Sequence, residues 1–495
     1  MQLETLLGGL AVRQVIGRRD RAVESIAYDS RRVQRNGMFV ALRGEKTDGN
    51  QFTAQAVEKG ASVIVTEREE SAAFAGAATC VIIKNTRRAL ADLATIFYGR
   101  PAQRLKMAGV TGTNGKTTTS FLIKHICEKA RLRCGLIGTV RYEIGERVLP
   151  ATRTTPESLD LQELLALIAN AGCRAASMEV SSHALAQKRT RGIEWDVAVF
   201  TNLTQDHLDF HGTIENYFEA KAKLFTQLGQ QEKKREPIAV INIDDRYGEQ
   251  LLDKIDKNIA VVTYGMGVRA QFRASNYRIE FGGTSYRLDA RGKSYLVRLP
   301  LIGRFNVANS MAALAAANSL GVNLRDAVTS LAKSPQIPGR LEIVPAKRQF
   351  QVFVDYAHTP DALLNVIKTL RELEPSRLLV VFGCGGNRDR QKRPLMAEVV
   401  ERNADYAIVT SDNPRREDPA AIIADTEKGF RLHHYEKIVD RAEAIARAVE
   451  LAHPRDIVLI AGKGHEAYQE FADRTVPFDD IQVARRAIED HPVEF

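Results

Sequence analysis

Cysteine is scarce, with five residues in 495 (Cys80, Cys127, Cys134, Cys173 and Cys384), an odd number without a C-x-x-C pair. That excludes a disulfide framework and a thiolate zinc cluster, and a reducing compartment is expected. No window approaches the roughly eighteen uninterrupted apolar residues of a membrane-spanning helix. The first segment, MQLETLLGGLAVRQVIGRRD, carries Glu4 and lacks a basic stretch leading into an apolar core, so a soluble cytoplasmic protein is expected. Charge of one sign is not dominant: 70 Lys and Arg stand against 61 Asp and Glu, a net +9. With 26% charged and 7% aromatic residues, the chain is neither low-complexity nor disordered. The small excess suits a nucleic acid, an anionic membrane surface or small polyanionic substrates alike. Internal repeats are also absent.

What is there is 44% hydrophobic residues, enough for several cores, and a length that at about 150 residues per domain implies three domains. Residues 1–86 alternate apolar runs (MFVAL, ASVIV, CVIIK) with Gly and Asp turns, a small α/β domain. Residues 87–336 hold the strand-like runs LKMAGV, CGLIGTV, RAASMEV, WDVAVFTNL and IAVINID, each followed by a polar loop and a helical stretch. That rhythm predicts a doubly wound parallel sheet, and the period-two pattern at 265–300 an antiparallel appendage. SPQIPGR at 334–340 marks a boundary. Residues 337–495 then repeat the α/β rhythm with QVFVDYA, RLLVVFGCGG, ADYAIVTSD and DIVLIAGKG, a Rossmann-like domain. The expected fold class is α/β in three domains.

LKMAGV-TGTNGKTTT-SFLIKHICEKA reads as buried strand, glycine loop and helix. Gly112 and Gly115 let backbone N–H groups approach phosphate oxygens, Lys116 supplies a cation, and the Thr117 hydroxyl can ligate Mg²⁺. The strict G-x-x-x-x-G-K-[ST] pattern fails by one position, with Val110 where the first glycine belongs. The alternative is a tight strand-to-helix turn with an exposed lysine.

In TIENYFEAKAKLF, Ile214, Tyr217, Phe218, Leu224 and Phe225 form one helical stripe with Lys221 in its middle, while Lys223 points away. Two readings of Lys221 are open. Desolvation would leave its amine neutral, nucleophilic and able to form a carbamate with CO₂, or its stem snorkels along a partly covered helix. Glu179 and His207 follow buried strands at their carboxyl ends and are candidate metal ligands, an O/N set suited to Mg²⁺ or Mn²⁺. In the last domain the strand ends VDYAHTPD, GCGGNRDR, SDNPR and AGKGHE would gather Arg388, Asp412, Asn413, Arg415 and Glu466. Cations and anions together suit a zwitterionic ligand; solvated loops are the alternative.

GTNGKTT (112–118), EVSSHAL (179–185), NLTQDHLDFHG (202–212), the AK of FEAKAKLF, GRFNVAN (303–309), PGRLE (338–342) and DYAHTPD (355–361), in that order, resemble the Mur ligase family. YDSRRVQRNGMFVALRGEKTDG (28–49) and SDNPR extend the resemblance. It implies an ATP- and Mg²⁺-dependent amide ligase adding meso-2,6-diaminopimelate to the D-glutamate γ-carboxylate of UDP-N-acetylmuramoyl-L-alanyl-D-glutamate through an acyl phosphate. It further implies ATP binding by Gly112, Thr113, Asn114, Gly115, Lys116, Thr117, Thr118, Asn306, Asn309, Arg340 and Asp355, with domain closure completing the site. Lys116, Glu179, His207 and Lys221 would be the catalytic set, and metal would be held by Thr117, Glu179, His207 and the carbamate of Lys221. The nucleotide substrate falls to Tyr28, Ser30, Glu45, Lys46, Thr47, Thr154, Thr155, Ser182, Gln187 and Arg189. Diaminopimelate falls to Arg388, Asp412, Asn413, Pro414, Arg415, Gly462 and Glu466, with Arg415 on the carboxylate that lysine lacks.

A lysine-adding relative and folylpolyglutamate synthase are the rivals, disfavoured by the DNPR run and the N-terminal DSR segment. A P-loop switch or a nucleic-acid-binding protein is disfavoured by the lack of a helix-turn-helix and of aromatics interleaved on a basic stripe. A monomer without nucleic-acid or membrane partners is expected.

Overall fold

The computed structural model describes residues 1–44, 47–230, 236–345, 348–432 and 434–490. The chain forms two compact units, Met1–Ala270 with Ala312–Ala327, and Gln271–Met311 with Val328–Phe495. The α/β fold class read from the sequence is the one present.

The first unit holds two sheets. In the N-terminal one, strand Thr79–Ile83 pairs antiparallel with Val12–Ile16, and Ala61–Thr66, Gly37–Val40 and Ser25–Ala27 follow in parallel. Its strands are Val- and Ile-rich and its helix Thr86–Phe97 is capped by Asn85, whose side chain accepts the Arg88 N–H.

In the larger sheet Lys106–Thr111 lies between Ala175–Glu179 and Val197–Phe200. Cys134–Ile137, Ile238–Asn242 and Ala260–Gly265 extend the parallel array, and Arg141–Ile144 and Arg147–Pro150 close one edge antiparallel. The three central strands are buried along nearly their whole length, the pattern of a parallel sheet covered on both faces. Register pairs Glu179 with Val110 and Phe200 with Thr111, so three adjacent strands end side by side.

The second unit contains the predicted appendage, an antiparallel set formed by Phe272–Glu280, Gly283–Ala290 and Lys293–Leu299. Its main sheet runs Glu342–Val344, Gln351–Asp355, Ile457–Ala461, Leu378–Cys384, Tyr406–Ser411, Tyr435–Lys437, antiparallel only at the first pair. The four strands predicted to end in polar loops are therefore neighbours, and their loops open along one edge of the sheet. Among the described residues no helix is long and apolar enough to cross a membrane.

Packing against the central strand is tight. A Cβ on Gly109 would stand 2.7 Å from one ring carbon of Trp195 and 2.9 Å from the next, and that ring is 3% exposed. Gly109→Ala is expected to destabilise the first unit by about 1–3 kcal/mol, the usual size of a core overpacking. The check is the denaturant midpoint of fluorescence from Trp195, the chain's one tryptophan; an unchanged midpoint would show that the ring yields without loss.

Candidate functional site

Strand Lys106–Thr111 passes through the 112–115 turn into helix Lys116–Lys129. Gly112 has φ +153°, and a Cβ there would stand 1.8 Å from the Thr201 hydroxyl, so no other residue fits. The end of the neighbouring strand braces the loop. The Thr113 N–H donates to the Asn202 carbonyl (2.9 Å), the Asn114 N–H to Asn202 Oδ1 (2.9 Å), and the Thr201 hydroxyl to the Asn114 carbonyl (2.6 Å). Lys116 curls over it, its Nζ donating to the carbonyls of Gly112 (2.9 Å) and Thr113 (2.8 Å). Loop, cation and helix N-terminus are the parts from which a phosphate cradle can be built.

Behind the loop the Thr117 hydroxyl donates to Glu179 Oε2 (3.0 Å). Glu179 is 1% exposed and is held by the Thr139 N–H (2.8 Å) and hydroxyl (2.9 Å). A hydroxyl beside a carboxylate is a hard-oxygen pair fitted to Mg²⁺. His207, with φ +54°, lies in a ring cluster, 4.8 Å from His183 and 6.0 Å from Tyr217 between centroids. Desolvation lowers its pKa against the pull of Asp206, with His183, Lys116 and Lys221 lowering it further. A neutral imidazole results, the form that binds metal. Among the described residues no hydrogen bond joins His207 to Glu179.

Helix Ile214–Thr226 is capped by Thr213 and buries Tyr217, Phe218, Leu224 and Phe225. Lys221 is 1% exposed in that stripe, while Lys223 is exposed. Its Nζ donates to the Gly112 carbonyl (2.8 Å) and lies 4.5 Å from the Tyr217 ring centre. Burial drives its pKa well below the usual lysine range; Lys116 pushes the same way and Asp206 opposes. The snorkelling alternative is excluded by that burial.

Of the residues expected at the nucleotide substrate, Thr154, Thr155, Gln187 and Arg189 share one network with Glu179. The Thr155 hydroxyl donates to the Glu179 carbonyl (2.9 Å), Thr154 meets the Thr139 hydroxyl (3.0 Å), and Arg189 donates to the Thr155 carbonyl (3.1 Å) and Gln187 Oε1 (2.5 Å). Ser182 pairs with His211 Nε2 (2.9 Å). Tyr28 bonds Asp160 and Ser30 bonds Gln55, and Thr47 is exposed. Glu45 and Lys46 lie outside the described residues.

In the second unit Asp355 is 6% exposed and accepts the N–H groups of Leu341 (2.7 Å) and Ala357 (2.8 Å). Burial raises its pKa, with Arg340 opposing. The Arg340 guanidinium covers the Tyr356 ring at 4.8 Å. Asn306 and Asn309 are buried, the Asn309 amide donating to Asn306 Oδ1 (3.1 Å). At the four strand ends, Asn413 Nδ2 donates to Glu466 Oε2 (2.8 Å). Arg415 donates through Nε to Glu470 (2.9 Å) and through Nη1 to the Gly386 carbonyl (2.9 Å). Gly462, at φ +117°, passes so close to Asp412 that a Cβ would stand 2.7 Å from Oδ2. Pro414 follows Asn413 in the same loop, and Arg388 is exposed. Arg388 makes no hydrogen bond or ion pair among the described residues.

Sequence reasoning passed over Thr139, Thr201, Asn202, Lys463 and Glu470. Thr201 and Asn202 had a signal, because they directly follow a buried strand beside the phosphate loop. The others carry none, since each depends on a partner distant in sequence: Glu179 for Thr139, Asn413 for Lys463 and Arg415 for Glu470.

The family models matched are Mur ligase family, catalytic domain, over residues 22–98, Mur ligase middle domain over 110–317, and Mur ligase, glutamate ligase domain over 339–464. A curated relative in Geobacillus kaustophilus, UDP-N-acetylmuramoyl-L-alanyl-D-glutamate–2,6-diaminopimelate ligase, is 46% identical over 99% of this chain and 100% of its own. A solved structure of an enzyme of that name is 36% identical, with a TM-score of 0.71 and 99% of each chain covered. The MurF ligase of Thermotoga maritima in complex with ADP, 20% identical with a TM-score of 0.63 over 94% of this chain and 97% of that one, shares the fold. With three family models matched in order and 46% identity along nearly its whole length, this chain belongs to the Mur ligase family.

Proposed function

We propose that this chain is a cytoplasmic ATP-dependent ligase of peptidoglycan precursor synthesis. It joins meso-2,6-diaminopimelate to the D-glutamate γ-carboxylate of UDP-N-acetylmuramoyl-L-alanyl-D-glutamate. The observation that carries the reading is the array of strand-end loops in the second unit, where the guanidinium of Arg415 and the carboxylate of Glu466 are both held by protein partners. A diamino dicarboxylic acid is the complement of such a set. The relatives named for this reaction support the choice.

A γ-carboxylate oxygen attacks the γ-phosphorus of ATP, the bond to the bridging oxygen breaks, and ADP leaves. The acceptor's amine nitrogen then attacks the acyl-phosphate carbon, and the carbon–oxygen bond to phosphate breaks. Amide and inorganic phosphate remain, and the amine's surplus protons leave to phosphate and water. Both steps concentrate negative charge on phosphate oxygens, so fixed cations and N–H groups matter more than a strong base. Lys116 and the loop N–H groups supply them. Thr117, Glu179, His207 and a carbamate on Lys221 would hold Mg²⁺, whose chemistry is to screen phosphate charge. Asn306, Asn309, Arg340 and Asp355 are assigned to the nucleotide. Tyr28, Ser30, Thr154, Thr155, Ser182, Gln187 and Arg189 are assigned to the UDP-linked substrate.

Lys221 is fitted to carbamate formation because burial, with the Lys116 charge adding to it, lowers its pKa and so favours the neutral amine, the form that attacks CO₂. Lys221→Ala is expected to lower kcat by about 10²–10³-fold, the scale of losing one electrostatic support, with partial recovery in acetate. ¹³C NMR of protein equilibrated with ¹³CO₂ should show a carbamate signal that the variant lacks; full activity in the variant would overturn the assignment. Amino-acid-dependent phosphate release is the second measurement. L-lysine should support kcat/KM at least about 100-fold below meso-diaminopimelate, since it leaves the Arg415 site without its carboxylate. Equal turnover with the two would exclude the acceptor reading.

A further inference from the structure

Lys463 is an unusual residue in the acceptor loops, because its side chain is 0% exposed and yet carries an ammonium group. Its Nζ donates to Asn413 Oδ1 (3.0 Å) and to Glu466 Oε2 (3.4 Å), and lies 5.5 Å from the Tyr468 ring centre. The Glu470 backbone N–H donates to the same Asn413 Oδ1 (3.0 Å). Two obligate donors on one side of the amide leave a single orientation, with Nδ2 turned to Glu466 Oε2 at 2.8 Å. Oε2 is thereby occupied twice. Oε1 receives only a long contact from the Tyr356 hydroxyl (3.4 Å), and the Glu466 side chain keeps 18% exposure. The carboxylate is held by one oxygen and presents the other.

We propose that Lys463 is a positioning residue for the acceptor amino acid: it locks the Asn413 amide and one oxygen of Glu466, so that the other oxygen receives an ammonium group of the acceptor. This rests on the ligase reading above and adds a residue to it. Lys463 does not touch the acceptor; it sets the direction and charge of the group that does. The electrostatics agree with the geometry. Burial raises the pKa of Glu466, Lys463 opposes that rise, and Asp412 adds to it. Tyr356, Tyr468 and the Arg441 guanidinium also interact electrostatically with this carboxylate. Without the Lys463 cation Glu466 would hold its proton to higher pH, and a neutral carboxyl attracts an ammonium poorly.

The test uses the full chain with saturating ATP and UDP-linked substrate. Lys463→Met is expected to raise KM for meso-diaminopimelate about tenfold or more, the scale of losing hydrogen bonds to a charged group. KM for ATP should stay unchanged, and the acidic limb of kcat/KM for the amino acid should move to higher pH. Lys463→Gln keeps a donor to Asn413 without the charge, so it should restore much of KM while leaving the limb displaced. A folded Lys463→Gln enzyme with the wild-type limb, or a folded Lys463→Met enzyme with the wild-type KM, would overturn the proposal. If the wild-type chain turned over a different amino acid, the ligase reading would need a new acceptor. The variant-to-wild-type KM ratio for that acceptor would then decide the role of Lys463.

Discussion

One carbonyl oxygen, that of Gly112, receives hydrogen bonds from both Lys116 and Lys221. Two ammonium groups so close repel each other, and Lys221 lies on the buried side, so burial first and the Lys116 charge second drive its pKa down. Much of the geometry around the glycine loop follows from this. Lys116 is held over the loop by two carbonyls, while the Lys221 amine is shifted toward its neutral, reactive form by what packs around it. The arrangement needs the backbone of Gly112 in the position that Thr201 forbids to any side chain. The apolar stripe of helix Ile214–Thr226 and the glycine loop are thus parts of one device, although about a hundred residues separate them in sequence.

The same economy of position recurs in the second unit. Arg415 is fixed by Glu470 and by the Gly386 carbonyl, and Lys463 by Asn413 and Glu466. A cation already oriented by protein acceptors loses little further freedom when an anionic ligand arrives, which is why preorganised sites bind and stabilise charge better than mobile ones. Exposed and unpaired among the described residues, Arg388 is the contrast. Its ordering would have to come from the ligand itself.

Legibility in the sequence divides along a physical line. The place of Lys221 on a buried face was readable because helical periodicity converts spacing into a face, and the five apolar residues of its stripe mark which face is covered. The phosphate loop was readable because strand, glycine turn and helix are contiguous. The four strand ends of the second unit were readable as loops, and the strand order makes them neighbours. Partnerships across the fold were not. Tyr28 with Asp160, Thr139 with Glu179 and Lys463 with Asn413 join segments 132, 40 and 50 residues apart, and no local period carries that information. Lys463 stands within AGKGHE, where a lysine between two glycines reads as solvated, and its contact with Asn413, 50 residues away, is not legible there.

Charge placement rather than net charge is what the +9 excess describes. Arg441 and Asp480 form an ion pair with both side chains 0% exposed, beneath the strand-end loops of the second unit. The guanidinium also donates to the carbonyl of Ala461 (3.0 Å) and, at 3.4 Å, to that of Ser411, the last residues of strands Ile457–Ala461 and Tyr406–Ser411. Those residues immediately precede Gly462 and Asp412. A buried pair of this kind adds little net stability over an apolar replacement, whereas losing one partner costs about 3–5 kcal/mol. Its value therefore lies in geometry, because one rigid planar cation sets the separation of the two strand ends from which these loops depart. An apolar pair of equal volume would fill the space without fixing that distance. On this argument a cation is buried under the site for the same reason that Lys221 is buried beside the phosphate loop: its partners, more than its charge, determine what it does.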